Sequence, residues 1–223
     1  MSSETNTAAV PTALVDVQGD KRWINLHEHH VAVANEKEPE VLFVGDSIIQ
    51  QMTQYDVWNE LFEPLHSLNF GIGGDQTQHL LWRLQNGSLD NIKPKVIVLL
   101  VGTNNHDHTA EETFGGIEAI IKYSTDKIPS ARLIVMAVLP RGRYPNRLRD
   151  KIKSINDSLG VLLNTKPKKY PLAELFDAYK DFIQEDGRIS HLDMFDYLHL
   201  TKEGYRKICE PLKDRIDEIL LEK

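Results

Sequence analysis

The stretch Glu40–Ile49, with the sequence EVLFVGDSII, decides how the rest of the chain is interpreted. Its apolar residues Val41–Val44 end in a Gly-Asp-Ser turn, and a short apolar run bounded by a turn signal is typical of a buried strand. In an open parallel sheet, ligands bind beyond the carboxyl ends of the strands. A serine that leaves such a strand and begins a helix presents its hydroxyl in that crevice. Ser47 is therefore a candidate nucleophile, although the tripeptide alone is also typical of an N-capped turn.

Five apolar stretches predict the strands of a parallel sheet. After Val41–Val44 they are Leu65–Phe70, Lys95–Val101, Arg132–Leu139 and a weaker fifth at Leu172–Phe176. The stretches with helical patterns are Asp20–Asn35, Ile48–Leu61, Gln76–Gln85, Thr109–Lys127, Pro145–Leu163 and Thr201–Leu221. Strands that alternate with helices of this length form βαβ units, so the sequence predicts an α/β fold with a five-stranded parallel sheet. We expect a single domain over residues 19–223, preceded by a flexible N-terminal arm over residues 1–18.

The composition is that of a globular protein and disfavours several functional classes. The 223 residues include 26 Lys and Arg against 33 Asp and Glu, and the net charge of −7 disfavours a general nucleic-acid binder. The single cysteine, Cys209, excludes an internal disulfide and is typical of a reducing compartment. The most apolar run, Val96–Val101, is too short to span a bilayer, and Met1–Asp20 lacks the pattern of a secretory signal. We therefore expect a cytoplasmic protein without integral membrane insertion.

The first three predicted strands all end in small residues that form turns and hydrogen bonds. The turns that follow them are Gly45–Ser47, Gly71–Asp75 and Gly102–Asn105. Because the carboxyl ends of parallel strands lie at one edge of a sheet, Ser47, Gly74 and Asn104 should converge there. A glycine lets its main-chain N–H approach a ligand, and the asparagine side chain carries an amide donor. The Ser47 and Gly74 N–H groups and the Asn104 amide therefore predict an oxyanion hole. Each turn alone is also typical of an ordinary βα connection.

The base that a serine nucleophile needs is predicted just before the last helix. Asp196 and His199 are three residues apart, so one tight turn would bring the carboxylate beside the imidazole. The carboxylate would accept a hydrogen bond from Nδ1, which leaves Nε2 to take the Ser47 proton. Ser47, His199 and Asp196 are therefore the predicted catalytic residues. Their bulky neighbours favour a short acyl group such as acetyl. These neighbours are Ile48, Thr103 and Leu198, which we expect to form the wall of the acyl pocket.

Two other kinds of protein would fit parts of this pattern. A metallohydrolase would draw its oxygen and imidazole ligands from His106, Asp107, His108, His191, Asp193, Asp196 and His199. That interpretation leaves Ser47, Gly74 and Asn104 unexplained. In a non-catalytic binding subunit of a regulatory complex, the same site would be vestigial. The Gly-x-Ser-x-Gly turn of the other large serine esterase fold is absent, because Ile49 occupies the position of its second glycine.

Two polar clusters lie outside the predicted site. His27–His30 contains three histidines, but zinc ligands on a helix are spaced four residues apart, so we interpret this stretch as a solvated helix face. Arg141–Arg149 contains four arginines after the fourth strand. We interpret these as a solvated surface, and a docking patch for an acidic partner or a lipid phosphate is the alternative.

The motifs, taken together and in order, resemble the four sequence blocks of the SGNH (GDSL) hydrolase family. The blocks are Gly45-Asp46-Ser47, Gly74, Asn104 and Asp196-x-x-His199. The longer strings Leu68–Asp75 and Asp193–Leu200 are similar to one branch of that family, the catalytic α subunits of intracellular platelet-activating factor acetylhydrolase type I. The likeness extends from about Gly19 to Leu212, which is nearly the whole chain.

This resemblance implies a fold, an activity and an assembly. The fold would be a flavodoxin-like three-layer α/β/α sandwich. The activity would be that of a serine esterase without a cofactor, which removes the sn-2 acetyl group of platelet-activating-factor-like phospholipids through an acyl-serine intermediate. The assembly would be a homodimer, or a heterodimer with a related α subunit, associated with a WD40-propeller regulatory subunit, the lissencephaly protein.

Overall fold

The structure is a computed structural model that describes residues 5–222. Five strands and seven α-helices form the framework of this part of the chain. The strands are β1 (Val41–Gly45), β2 (Ser67–Gly71), β3 (Val96–Leu100), β4 (Arg132–Met136) and β5 (Ala173–Phe176). The helices are α1 (Arg22–Glu36), α2 (Ser47–Gln51), α3 (Asp56–Leu61), α4 (Thr77–Arg83), α5 (Ala110–Lys127), α6 (Arg147–Asn164) and α7 (Lys202–Leu221).

All five strands run parallel in one sheet, in the order β2-β1-β3-β4-β5. The predicted α/β fold with a five-stranded parallel sheet is therefore confirmed. This order is that of flavodoxin-like sheets, in which the chain moves outward in opposite directions from β1 and from β3. A crevice opens at such a switch point, beyond the carboxyl ends of the two strands. Ser47 follows β1 directly, and the turn with Asn104 follows β3.

Two apolar cores cover the two faces of the sheet and give the protein three layers. Alternate residues of β1 belong to different cores, with Leu42 and Val44 in one and Val41 and Phe43 in the other. The first core contains residues of α1, α4, α5 and α6, and the second contains residues of α2, α3 and α7. Strands that are covered on both faces consist of continuous apolar runs, which explains why β1 and β3 stand out in the sequence.

The helix predicted over Ile48–Leu61 is wrong as a single element. The chain forms α2, then a 3₁₀ turn over Met52–Gln54, and then α3, with Tyr55 in an extended conformation between them. The apolar residues of this stretch recur at intervals of three, which is the repeat of a 3₁₀-helix and drifts around an α-helix. The break turns Met52 and Trp58 into the second core, where both are buried.

The interpretation of His27–His30 as a solvated helix face is wrong for two of its histidines. The side chains of His27 and His30 are 4% and 6% exposed. The His30 ring stacks on Phe70 with 4.7 Å between the ring centroids, and the His27 Nε2 atom lies 3.0 Å from the carbonyl oxygen of Asn86. Burial and the nearby Arg83 charge lower the pKa of His30 to about 3, so this histidine is neutral at physiological pH.

Part of the predicted N-terminal arm lies against the domain. Residues 1–4 are outside the described part of the chain, but Thr7–Ala9 form a 3₁₀ turn in which Ala8 is fully buried. The Thr77 hydroxyl donates a hydrogen bond of 2.8 Å to the Ala8 carbonyl, and the Asn6 amide donates one of 2.9 Å to the Glu112 carbonyl. These contacts attach this segment to α4 and α5, in contrast to the flexibility expected for residues 1–18.

Candidate active site

Ser47, His199 and Asp196 form a continuous hydrogen-bonded chain at the carboxyl edge of the sheet. The Ser47 Oγ atom lies 3.0 Å from His199 Nε2, and His199 Nδ1 lies 2.7 Å from Asp196 Oδ2. Ser47 begins α2, and Asp46 caps that helix by accepting a hydrogen bond of 3.0 Å from the Ile48 N–H. The chain therefore passes directly from the buried strand β1 into a helix, which presents the hydroxyl at the switch point of the sheet.

A tight turn holds Asp196 beside His199. One carboxylate oxygen of Asp196 accepts the main-chain N–H groups of Leu198 and His199, and the other accepts from the His199 ring. Tyr197 adopts a left-handed conformation with φ of 60° within this turn. Partial burial raises the pKa of Asp196, but the hydrogen bonds from His199 outweigh it and leave the pKa below its ordinary value. The carboxylate is thus charged where an imidazolium would form.

The turn that carries Gly74 borders the same serine, and a hydrogen bond joins Asn104 to that turn. A Cβ atom built on Gly73 would lie 3.7 Å from the Ser47 Cβ, so the Gly73–Gly74 turn borders the hydroxyl. Gly74 has a φ of +84°, a conformation that favours glycine. The Asn104 side-chain amide donates a hydrogen bond of 3.0 Å to the Asp75 carbonyl, which joins the turn after β3 to the turn after β2.

Some main-chain N–H groups beside Ser47 already donate a hydrogen bond within the protein, and others do not. The Gly73 N–H donates a hydrogen bond of 2.9 Å to the Gln50 side chain. The N–H groups of Ser47 and Gly74, in contrast, have no acceptor among residues 5–222. An unpaired N–H is costly unless water or a ligand accepts its hydrogen bond. Both donors are therefore available to an oxygen atom beside Ser47.

A buried ion pair, which sequence reasoning missed, supports the two turns. The Arg83 guanidinium, fully buried, donates to the carboxylate of Asp75 and to the carbonyl oxygens of Phe70 and Gly45, at the ends of β2 and β1. Trp23 Nε1 donates a hydrogen bond of 2.6 Å to the second oxygen of Asp75. One signal was present, because Arg83 lies three residues after a leucine on the apolar face of a predicted helix.

Asp46 is the second buried carboxylate at the site. It is 1% exposed, and its Oδ2 atom has no hydrogen-bond partner among the described residues. Burial raises the pKa of Asp46 from 3.8 to about 7, whereas the hydrogen bond from the Ile48 N–H acts in the opposite direction. The carboxyl group beside the serine therefore changes its protonation state near neutral pH.

The three residues expected to form the acyl pocket have different environments. Ile48 is 1% exposed and packs within the second core, where its carbonyl accepts a hydrogen bond of 2.7 Å from the Tyr205 hydroxyl. Thr103 is buried, and its main-chain oxygen accepts a hydrogen bond of 3.0 Å from Arg141. Leu198 is half-buried and lines a cavity. Of these three residues, Leu198 lines a cavity, whereas Ile48 and Thr103 are packed in the interior.

The side chains considered as metal ligands have other contacts. Within residues 5–222, no group of three or more His, Cys, Asp or Glu side chains has a geometry that could hold a metal ion. The Asp193 carboxylate accepts a hydrogen bond of 2.7 Å from Lys207, and the His108 Nε2 atom lies 3.0 Å from the Thr7 hydroxyl. Asp196 and His199 of that set are hydrogen-bonded to each other through their side chains.

With this parallel α/β sheet and the serine at its carboxyl edge, the chain falls in a class of hydrolases that act on acyl esters. The chain belongs to the GDSL-like lipase/acylhydrolase family, which residues 43–207 match. The resemblance drawn from the sequence motifs is confirmed, and with it the assignment of the protein as a carboxylic ester hydrolase.

Two named relatives support this family, and one solved structure has the same fold. The chain is 54% identical to the platelet-activating factor acetylhydrolase IB subunit alpha2 of Homo sapiens over 219 residues, which is 98% of this chain and 94% of the relative. It is 50% identical to the alpha1 subunit of Homo sapiens over 220 residues, 99% of this chain and 94% of the relative. A GDSL-like lipase from Bacteroides thetaiotaomicron has the same fold, with a TM-score of 0.73 at 20% identity, over 88% of this chain and 98% of the other.

The length and composition of the helices can be compared with what a membrane span requires. Among the described residues, no helix combines the length and the apolar composition that crossing a membrane requires.

Proposed function

We propose that the protein is a serine esterase that hydrolyses short acyl esters through an acyl-serine intermediate. The observation that carries this proposal is the hydrogen-bonded chain from the Ser47 hydroxyl, 3.0 Å from His199 Nε2, to Asp196 Oδ2, 2.7 Å from His199 Nδ1. A nucleophile, a base within hydrogen-bond reach and a third group that orients the base are the parts that nucleophilic catalysis needs.

In the first half of the reaction, His199 takes the Ser47 proton as the hydroxyl oxygen attacks the ester carbonyl. The oxyanion that forms accepts hydrogen bonds from the Ser47 and Gly74 N–H groups and the Asn104 amide. Asp196 holds the ring in the tautomer with a proton on Nδ1 and stabilises the imidazolium. As the tetrahedral intermediate collapses, His199 gives its proton to the departing alkoxide.

In the second half, the acyl group is released by water. The neutral His199 ring removes a proton from a water molecule, which attacks the acyl carbon in the position that the alcohol has left. The same donors stabilise the second oxyanion. Collapse of this intermediate returns the proton to Ser47 and frees the acid, so the proposed cycle uses water and the protein's own side chains and main-chain N–H groups.

For the substrate we propose the sn-2 acetyl ester of phospholipids that resemble platelet-activating factor. The support is the identity of 50–54% over 98–99% of the chain to relatives named platelet-activating factor acetylhydrolase subunits.

For the assembly we propose a homodimer or a heterodimer with a related α subunit, because both relatives are named as subunits. For the location we propose the cytoplasm, which the single cysteine, typical of a reducing compartment, supports. Association with a WD40-propeller regulatory subunit stays a prediction from the family resemblance.

Labelling with a fluorophosphonate tests the mechanism. The probe reacts with a serine that a neighbouring base activates, so we expect one phosphonyl adduct, located by peptide mass spectrometry on Ser47. Ser47→Ala should abolish both the adduct and the hydrolysis of p-nitrophenyl acetate, while Ser190→Ala serves as the control serine. An adduct on another residue, or substantial turnover by Ser47→Ala, contradicts the proposal. Activity that disappears with EDTA and survives the fluorophosphonate would favour the metallohydrolase.

A further inference from the structure

A cavity of 480 Å³ lies beside the catalytic base, on the side of the site away from β2. Its walls are two loops that face each other, residues 141–148 and residues 196–198. The Gly142 N–H donates a hydrogen bond of 2.8 Å to the Tyr197 carbonyl, which joins the two loops. A volume of this size is within the range of pockets that bind small molecules.

Two arginines that line this cavity form no ion pair with a carboxylate among the described residues. Arg141 and Arg147 both line it, and neither has a carboxylate within salt-bridge distance among residues 5–222. Other surface arginines, Arg188 and Arg206 among them, do form such pairs. All three nitrogen atoms of the Arg149 guanidinium donate to main-chain carbonyls, those of Arg141, Gly142 and Gly187, so this arginine holds the loop together instead.

Arg141 also connects the cavity to the reacting groups. Its Nη1 atom donates to the carbonyl and the hydroxyl of Thr103, at 3.0 and 3.2 Å, one residue before Asn104. Its remaining guanidinium donors have no partner among the described residues. Partial burial lowers the pKa of Arg141, against the opposing effect of the nearby Asp196 and Asp46 carboxylates, and an arginine stays charged throughout the physiological range.

The proposed mechanism determines which half of the ester, acyl or alcohol, lies next to this cavity. His199 must give its proton to the departing alkoxide, so the oxygen of the alcohol lies next to Nε2 in the transition state. The cavity is lined by Asp196, Tyr197 and Leu198, the residues immediately before His199. The substituents of the alcohol therefore extend toward Arg141 and Arg147 on the proposed mechanism.

We propose that Arg141 and Arg147 bind a phosphate group on the alcohol half of the ester, an inference that rests on the proposed function. A guanidinium presents a planar fork of donors that matches the oxygens of a phosphate, and two of them provide two positive charges. Asp196 is the one carboxylate that lines the cavity. Two guanidinium groups against this one carboxylate leave the cavity with a net positive charge, and both Asp196 oxygens already accept hydrogen bonds from the Leu198 N–H or from His199. The Asn146 side chain already caps the first turn of α6, so the arginines supply the free donors.

Two water-soluble acetyl esters that differ only in the phosphate test this inference. One is 1-O-methyl-2-acetylglycerol 3-phosphate, and the other carries a 3-O-methyl group in place of the phosphate. The measured quantity is the ratio of kcat/KM for the phosphate ester to kcat/KM for the neutral ester. Arg147 is exposed and begins α6, so Arg147→Gln should fold. We expect this variant to lower the ratio by about 3- to 10-fold, mainly through KM, and Arg147→Lys to restore part of it.

Arg22→Gln is the matched control. Arg22 is also exposed, also begins a helix and also loses one positive charge, but it lies outside this cavity. The ratio should stay at its wild-type value in this variant. A ratio that Arg147→Gln leaves unchanged, or that Arg22→Gln lowers equally, overturns the phosphate site. If the wild type hydrolyses neither ester, the proposed function itself fails.

Inhibition by inorganic phosphate tests whether the cavity binds the phosphate group of a substrate or free phosphate from solution. Phosphate bound to the alcohol subsite should inhibit hydrolysis of the neutral ester competitively in the wild type and more weakly in Arg147→Gln. If this inhibition depends on Arg147 while the ratio of the two esters does not, the cavity binds free phosphate and the substrate assignment is overturned. If neither depends on Arg147, the phosphate site itself is overturned.

Discussion

The Arg83 guanidinium and the Asp75 carboxylate form an ion pair of 2.6 Å in which neither side chain is exposed to solvent. The pair lies beneath the turn that carries Gly74, and Arg83 also holds the last carbonyl of β1, that of Gly45. A single buried group thus fixes the carboxyl ends of two neighbouring strands, one before the proposed nucleophile and one before a proposed oxyanion donor. The position of the proposed Gly74 oxyanion donor relative to the serine therefore depends on this pair.

Arg83→Leu should lower the free energy of unfolding by about 3–5 kcal/mol, because it leaves the Asp75 carboxylate buried without its partner. Urea denaturation followed by tryptophan fluorescence measures this change. Lys153→Met, which breaks the exposed pair with Asp157, should cost less than about 0.5 kcal/mol and serves as the control. A loss below about 1 kcal/mol for Arg83→Leu would show that the pair is not a structural support of the site.

Asp196→Asn should lower kcat for an acetyl ester by about 10²- to 10⁴-fold with little change in KM, since it removes the charge that stabilises the imidazolium and disturbs the tautomer of His199. Steady-state kinetics check this. Asp193→Asn removes a carboxylate three residues earlier that pairs with Lys207, and kcat should stay within about 3-fold of the wild type. Equal losses in the two variants would contradict the assigned role of Asp196.

Asn104→Ala should lower kcat by about 10²- to 10³-fold, because one donor of the oxyanion hole is lost. Its neighbour Asn105 provides the contrast, since this side chain is 1% exposed and is bonded to Thr77 instead. Asn105→Ala should therefore lower stability by about 1–3 kcal/mol and affect kcat less. Thermal unfolding and kinetics on both variants separate the two roles, and an unchanged kcat in Asn104→Ala would remove it from the hole.

Asp46→Asn should change how stability depends on pH. Burial raises the pKa of Asp46 from 3.8 to about 7, so the folded protein binds the proton more tightly than the unfolded chain does. The stability that this proton contributes is present at low pH and is lost as the pH rises from about 4 to about 7. Over that range the wild type should lose roughly 2–4 kcal/mol relative to Asp46→Asn, measured by urea denaturation at each pH.

Glu174 provides a control of the opposite sign. Hydrogen bonds from Arg215 lower the pKa of Glu174 despite its partial burial. Its contribution is therefore present at neutral pH and is lost as the pH falls through the lowered pKa. Glu174→Gln should be destabilised near neutral pH and approach the wild type in acid. An Asp46→Asn difference that is flat with pH, or that has the sign expected for Glu174, would contradict the raised pKa of Asp46.

Local patterns in the sequence were sufficient for the sheet and for much of the proposed site. The β1 and β3 strands are predicted because both faces of each are buried, which makes them continuous apolar runs. The capping box at Thr109 is present, with Glu112 as its partner, because it depends only on residues three apart. The contact between Asp196 and His199 is local for the same reason.

Features that depend on distant packing could not be predicted in this way. His27 is buried because α1 packs beside α4, and its own helix contains no sign of that neighbour. Ile48 follows the serine in sequence, yet one step along a helix turns its side chain into the second core. The contacts of Arg83 with Gly45 join residues 38 positions apart, and only the folded sheet brings them together.

The proposed acid–base pair lies on a turn outside the sheet, which is attached to the protein through its two ends and through the hydrogen bond from the Gly142 N–H to the Tyr197 carbonyl. Met194 and Leu200 are fully buried there and form an isolated bridge, whereas Asp196 and His199 belong to neither core. Folding and chemistry are therefore separable in evolution. A duplicated gene can lose either residue at little thermodynamic cost, and its product can persist as a silent subunit beside an active paralogue. Sequence identity across the whole chain then indicates a shared fold, and the residues at positions 196 and 199 indicate whether the protein is active.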